Sequence, residues 1–392
     1  MSSVLDGTDP RALGERLRIA RTNAGIRQER ASEALGVSRP TLVAIEKGHR
    51  RVRAEELAAA AGLYGVSVGE LLRPARPMPD VAARFRAMPG SRDEDRMEAA
   101  ALLAGLAASE VELERMLGRS LRTNYPPERP LGPGDAEEQA RDAALDLRHR
   151  LGLGLAPVRD TLALIGGEMG VRVFVDRKHL KGSLSGAYVY APEIGASILL
   201  NGVQSRRRRK MTAWHEVGHM VVSREVPDAV GDAPGAHTRE ERFARHFALE
   251  FLAPASAVRT TYDVMRREAG RFGYRQLLKA ADRFDLSTEA MCRRLEEMGL
   301  FRRGQWDTLR DSGFREGDAR AEYGLPGPDV GEDACETPMP RLHSLGAEAY
   351  RRGLVSEGAL ARMLRIERVA LRRMLNTVGA EIEEDDLALA PG

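Results

Sequence analysis

The stretch that most constrains this chain is His215-Glu-Val-Gly-His219. On a helix, residues four apart share one face, so the two imidazoles stand one turn from each other with Glu216 beside them. In this spacing two histidines bind a metal ion and the glutamate serves as general base toward water. A core helix carrying two incidental histidines is the competing reading. A third ligand close in space decides between them, because a catalytic zinc takes three protein ligands and keeps one position open.

A chain of 392 residues implies two or three domains. No run of 18 or more apolar residues is present, so no membrane span or membrane partner is expected. The first nine residues lack the basic and apolar regions of a secretory signal. Cys292 and Cys335, the only cysteines, make neither a disulfide framework nor a cysteine-based zinc site. A cytoplasmic location is the expectation. The net charge is only +2, but residues 11–76 hold 13 basic against 7 acidic side chains. A basic N-terminal segment on a near-neutral chain suggests a local anionic partner such as DNA.

That segment breaks into short helices. Leu13, Leu17 and Ala20 mark the first, and residues 28–35 the second. Gly36-Val37 makes a turn, Ser38 caps the third helix, and Pro40 is tolerated in its first turn. Leu57, Ala60 and Leu63 mark a fourth, and Val68, Leu71 and Leu72 a fifth, before the break at 74–77. Helix, glycine turn and helix form a helix-turn-helix, whose second helix enters the major groove. Residues 13–18 (Leu-Gly-Glu-Arg-Leu-Arg), Gln28, 35–42 (Leu-Gly-Val-Ser-Arg-Pro-Thr-Leu) and 45–48 (Ile-Glu-Lys-Gly) resemble the XRE (Cro/C1-type) regulator family. The resemblance implies a double-stranded DNA operator as partner. It places Arg39, Pro40, Thr41 and Ala44 toward the groove, with Ser38 at the start of the same helix. Arg39 is the best base reader, since a guanidinium bonds guanine bidentately. Gln28 would contact a phosphate, and Arg50, Arg51 and Arg53 would add salt-dependent backbone contacts. Arg27 stands where the family has a capping Thr.

Residues 92–117 read as one long helix. Leu102, Leu106, Ser109, Leu113 and Met116 form a heptad-like stripe, compatible with a dimerising coiled coil and equally with packing on a neighbouring domain. A homodimer would suit a palindromic operator. Residues 124–135 are rich in Pro and Gly and read as a linker.

Beyond the linker, Ala140, Ala144 and Leu147 mark a helix, and Pro157 opens another that runs to about Glu168. The period then changes to that of strands around Val171–Val175, Tyr188–Tyr190 and Ile198–Leu200. A small sheet followed by a helix with His-Glu-x-x-His is the general zincin arrangement. The segment 238–254 resembles the ligand helix of the ImmA/IrrE metallopeptidases, Glu-x-x-Ala-Asn-x-Phe-Ala ending in Leu-x-Pro. Glu241, Ala244, Phe247, Ala248, Leu252 and Pro254 occupy those places, and Arg245 stands where the family has Asn. This resemblance implies Zn2+ held by His215, His219 and Glu241, with Glu216 as catalytic base. Two alternatives stay open: Glu241 also completes a capping box with Thr238, and Glu240 is close enough to be the ligand. His237 and His246 are candidates for stabilising an oxyanion. The run Arg206–Lys210 resembles the family's lead-in to the zinc helix and is expected as a solvated loop, because the helix dipole disfavours cations there.

Residues 272–284 and 288–298 read as a helix pair, 312–340 as a flexible segment, and 356–376 as a helix, short turn and helix rich in arginine. The turn of that last pair lacks glycine, so packing is expected rather than DNA binding. The acidic run 381–386 is expected to be solvated.

The expected fold class is multidomain and mostly α with a small β-sheet. An N-terminal all-α helix-turn-helix domain (11–75) leads through a helical connector and linker (78–135) to an α+β zincin-like metallopeptidase domain (136–300). A helical C-terminal extension follows (301–392). The implied function is a DNA-binding transcriptional regulator carrying a zinc-dependent endopeptidase that cleaves a repressor or other regulatory protein. The alternative is a DNA-binding regulator whose peptidase-like domain is a non-catalytic metal-binding, sensing or dimerisation module.

Overall fold

The computed structural model describes residues 9–23, 26–64, 66, 68–72, 94–178, 180, 184–224, 228–231, 238–327 and 339–376. The break at 74–77, His237, Cys335 and the acidic run 381–386 lie outside these residues. The chain divides into two compact units, one from residues 1–79 and 342–392, the other from 80–341.

In the first unit, helices α1 (Pro10–Asn23), α2 (Gln28–Ala34), α3 (Arg39–Glu46), α4 (Ala54–Tyr64) and α5 (Val68–Leu72) surround Leu13, Leu17, Ala31, Leu42, Ile45, Leu57, Tyr64 and Leu71. The α2–α3 turn uses Gly36 at φ +65°, a conformation that glycine adopts without penalty. Gly14 lets α1 cross α3 closely, since a Cβ there would stand 2.2 Å from the carbonyl oxygen of Ile45. Arg27 makes no side-chain cap on α2, whereas the Ser38 hydroxyl accepts from the Thr41 amide at the start of α3.

The second unit is built on a four-stranded sheet of order β1-β3-β2-β4: β1 (Arg172–Asp176), β2 (Leu184–Ala191), β3 (Gly195–Asn201) and β4 (Asp228–Gly231). β1 runs parallel to β3, and β2 is antiparallel to both β3 and β4. Both faces are covered, which is why β2 and β3 are buried almost throughout. On one face Val175, Tyr188, Ile198 and Leu200 pack with Trp214 of α8 (Arg206–Val222). By strand alternation Phe174, Ala187, Val189 and Leu199 point the other way, and they too are buried.

That other face belongs to α6 (Glu94–Met116), which packs on all four strands. Its stripe of Leu102, Leu106 and Leu113 is buried. Arg172 of β1 donates to Glu114 at 2.7 and 2.8 Å and also to Glu110, and Arg341 binds the same two carboxylates. Burial pushes the Glu110 carboxyl up despite both arginines; at Glu114 the two guanidiniums outweigh burial and hold it down.

The Pro/Gly-rich run after α6 is laid against this unit rather than hanging free. The Asn124 amide donates to Met169 O, that of Arg129 to Val221 O, and the Tyr125 hydroxyl accepts from the Ala196 amide. Prolines suit such a strap, with φ preset and no amide to satisfy. Next come α7 (Ala136–Arg150) and a π-helical turn (Ala163–Glu168). Pro157 does not open the expected helix, which begins at Thr161.

After α8 the chain forms α9 (Arg239–Leu252), α10 (Ala255–Ala269), α11 (Tyr274–Phe284), α12 (Thr288–Glu297), α13 (Gln305–Asp311) and α14 (Glu316–Glu322). α14 lies inside the segment expected to be flexible. It is held by Arg320, buried and bound to Asp282 at 2.7 and 3.0 Å and to Glu316 at 2.8 Å. The last elements are α15 (Pro340–Arg351), α16 (Glu357–Leu364) and a helix α17 over 368–376.

Candidate functional site

α8 carries the histidines and is fixed at both ends and in its middle. Ser205 caps its N-terminus. The run Arg206–Lys210, expected as a solvated loop, is instead its first turn, and three of its cations are buried. Arg206 forms a fork with Asp285 at 2.6 and 2.7 Å; Arg207 donates to Asp282 and to Leu286 O. Arg209 donates to Gly202 O and Gln204 O, and Lys210 to Val158 O and Asp285. The unfavourable dipole is overridden because two carboxylates and the carbonyl-rich end of α11 face these cations. In the middle, Trp214 is fully buried, stacks on Phe251 of α9 at 3.7 Å, and donates to Thr161 Oγ1 at 3.2 Å.

These anchors place His215 and His219 opposite the first turn of α9. The two Nε2 atoms lie 3.0 Å apart. Glu241 Oε2 is 3.3 Å from His215 Nε2, and Oε1 is 3.8 Å from His219 Nε2. Among the described residues these three form the one cluster of His, Cys, Asp and Glu side chains arranged to hold a metal. Donor atoms around a tetrahedral zinc, with bonds of about 2.0–2.1 Å, stand about 3.3 Å apart, so the spacing fits. Two imidazoles and a carboxylate are also the donor chemistry of a catalytic zinc.

Thr238 does cap α9, accepting from the Glu241 amide at 3.2 Å, while the Glu241 carboxylate turns to the histidines. Glu240 is exposed, as is Arg245. His246 does not join the cluster; it meets Glu137 of α7 at 3.1 Å.

Glu216 lies on the sheet side of α8 and is fully buried. Gly186 of β2 makes room for it: a Cβ there would fall 3.1 Å from Glu216 Oε1 and 2.7 Å from Thr212 Cγ2. Gly218 does the same toward α9, where its Cβ would stand 2.8 Å from Ala244 Cα. Both glycines help to build the site, although neither belongs to the His-Glu-x-x-His or Glu241 pattern as a chemical group. The signal available was an isolated glycine inside a strand and inside a helix, which marks close backbone approach.

In the first unit the groove-facing set sits at the start of α3: Ser38, Arg39 and Pro40 are exposed, Thr41 and Ala44 half-buried. Arg39 meets Glu29 at 3.2 Å across the surface. Arg51 and Arg53 are exposed. Two of the expected phosphate contacts are engaged inside the fold. Gln28 donates to the buried Glu46, which also pairs with Arg21, and Arg50 forms a fork with Glu56 at 2.8 Å. Burial was not visible in the sequence for Glu46 or Glu56, so neither internal partner was foreseen.

Two family profiles match the chain, one described as a helix-turn-helix domain over residues 12–74, the other as an IrrE N-terminal-like domain over residues 167–296. The chain joins a helix-turn-helix DNA-binding domain to an IrrE-like peptidase domain. The second match takes in β1–β4 and α8–α11 and nearly all of α12, so both histidines and Glu241 lie in the IrrE-like domain. No curated protein matches the chain. A solved structure entitled "Crystal Structure of ComR from Streptococcus suis" aligns over 97% of this chain and 96% of its own, at 10% identity and a TM-score of 0.16. No helix among the described residues is long and apolar enough to cross a membrane.

Proposed function

We propose that the protein is a transcriptional regulator in which the IrrE-like domain is a zinc-dependent endopeptidase acting on a repressor or other regulatory protein. The observation that carries this reading is the convergence of His215, His219 and Glu241, from two helices, with Glu216 on the same helix turn. Zinc held there would polarise a peptide carbonyl and acidify water. His215 and His219 would bind through Nε2 and Glu241 through a carboxylate oxygen. Glu216 would take the proton from the attacking water at a carboxylate oxygen and return it to the leaving amine. Operator binding would rest on Arg39 with Ser38, Pro40, Thr41 and Ala44, and backbone affinity on Arg51 and Arg53 with any free edges of Gln28 and Arg50.

A second reading has its own observation. Glu216 is fully buried beneath β2, where a proton-transferring base needs access to water and substrate. On that reading the domain binds metal and senses or dimerises without turning over.

One experiment separates them. Wild type and Glu216→Gln are each expressed with their genomic neighbours. Metal content is measured by plasma mass spectrometry and cleavage products by proteomics. About one zinc in both proteins, with a specific product lost only in the variant, is the expected result. Equal zinc and identical protein patterns would favour the non-catalytic module. Absence of zinc from the wild type would sink both readings.

A further inference from the structure

The helix, turn and helix at 357–376 repeats the turn geometry of the α2–α3 pair in the helix-turn-helix domain. Arg365 occupies the place of Gly36, with φ +53° against +65°. In the first copy the Gly36 amide donates to Glu33 O and that of Val37 to Ser32 O. In the second, Arg365 donates to Arg362 O and Ile366 to Ala361 O, the same steps of three and five residues. The next helix begins alike, with Leu42 donating to Ser38 O and Leu371 to Glu367 O. Three buried apolar positions coincide, Ala31 with Leu360, Leu35 with Leu364 and Leu42 with Leu371, while Met374 is half-buried where Ile45 is buried. A glycine at the turn is therefore not required; Arg365 takes the left-handed conformation itself.

The same backbone turn also occurs at Asp285, between α11 and α12, so the geometry alone does not define a surface. There the position of Arg39 is Thr288, fully buried, and Cys292 is buried in the core beside Arg294, which is bound to Glu250. That copy is consumed by packing.

The C-terminal copy is not. At the positions of Arg39, Pro40, Val43 and Ala44 it carries Arg368, Val369, Arg372 and Arg373, all exposed, with Val369 at 59%. Residues 357–376 hold five arginines against two glutamates. Residues 28–47 hold three basic and three acidic side chains. Where Glu29 faces Arg39 in the first copy, Gly358 stands under Arg368 and offers no carboxylate. Glu357, at the place of Gln28, pairs with Arg372 at 3.0 Å, yet the Arg372 side chain is still 66% exposed.

We infer that α16 and α17 form a second DNA-binding helix-turn-helix, with α17 as the groove helix and Arg368, Arg372 and Arg373 as its phosphate and base contacts. It falls in the same compact unit as the first.

The test uses the full chain and a fluorescein-labelled 30-base-pair duplex of randomised sequence, followed by anisotropy from 50 to 200 mM salt. Replacing Arg368, Arg372 and Arg373 together with Ala should weaken binding at least about tenfold and lower the log–log salt slope by about 2 to 3, at about 0.9 per phosphate contact. The matching triple Lys variant should keep the slope. Val369→Glu, which changes none of the arginines and sits on an exposed position, should weaken binding on its own. Unchanged affinity and slope in the triple Ala and Val369→Glu variants would overturn the inference. So would loss of self-association with DNA binding intact, which would make the face a protein interface. Arg39→Ala is measured in parallel. If it has no effect while the C-terminal variants lose affinity, the N-terminal operator reading fails and this inference stands.

Discussion

His343 is a buried imidazole in an apolar setting, and its Nδ1 has no hydrogen-bond partner among the described residues. Burial pushes its pKa down to about 4. The unfolded imidazole protonates near its ordinary value of about 6.5, so the unfolded state binds the proton first as pH falls. Stability is therefore full above pH 6.5 and declines as pH drops toward 4, by about 3 kcal/mol at most. Urea midpoints measured at pH 7.5 and 5 should differ in the wild type, and the difference should shrink in His343→Leu. Equal pH dependence in both would refute the assignment. At this scale the convergence of two histidines and a glutamate was largely legible. The four-residue spacing of His215 and His219 needs only a helix to become a pair. The choice of Glu241 over Glu240 could not be made from helical periodicity, because it depends on where α9 crosses α8. The fates of Gln28 and Arg50 were hidden for the same reason: each is decided by a carboxylate far away in sequence.

α8 and α9 meet at Gly218 and Ala244; His219 adjoins Gly218, and His215 and Glu241 each lie three residues before the crossing on their own helices. Gly218→Ala puts a methyl group 2.8 Å from the Ala244 backbone. The helices must separate, at a cost of about 1–3 kcal/mol for overpacking. The expected outcome is a lower urea midpoint together with zinc affinity weakened at least tenfold, because Glu241 moves away from the histidines. Zinc titration against a chromogenic chelator measures the second effect; unchanged affinity would show that the crossing does not set the site. Helices and strands with a clear period were read from sequence at nearly their observed places. β4 was missed because four residues, Asp-Ala-Val-Gly, carry too little pattern. α6 showed its apolar stripe but not its partner. A stripe that covers a sheet looks like one that covers another helix, and only the buried Arg172 with Glu110 and Glu114 fixes the sheet as its seat. The cationic start of α8 misled for a related reason, since its compensating carboxylates come from 75 to 79 residues downstream.

For the whole molecule, two compact units imply two unfolding events rather than one. Metal bound to the second unit stabilises only that unit, by about 4 kcal/mol at a thousandfold excess over Kd. Scanning calorimetry with and without a chelator should move one transition and leave the other in place, and His219→Ala should behave as the chelated wild type does. Movement of both transitions together would show that the units unfold as one. The first unit takes its residues from both termini, with 80–341 inserted between them. On a ribosome adding roughly 5–20 residues per second, α1–α5 emerge roughly 10–50 s before α15–α17. The order of synthesis thus hands the second unit, which carries His215, His219 and Glu241, its full sequence first, and the first unit is not complete until the residues from 342 onward have followed.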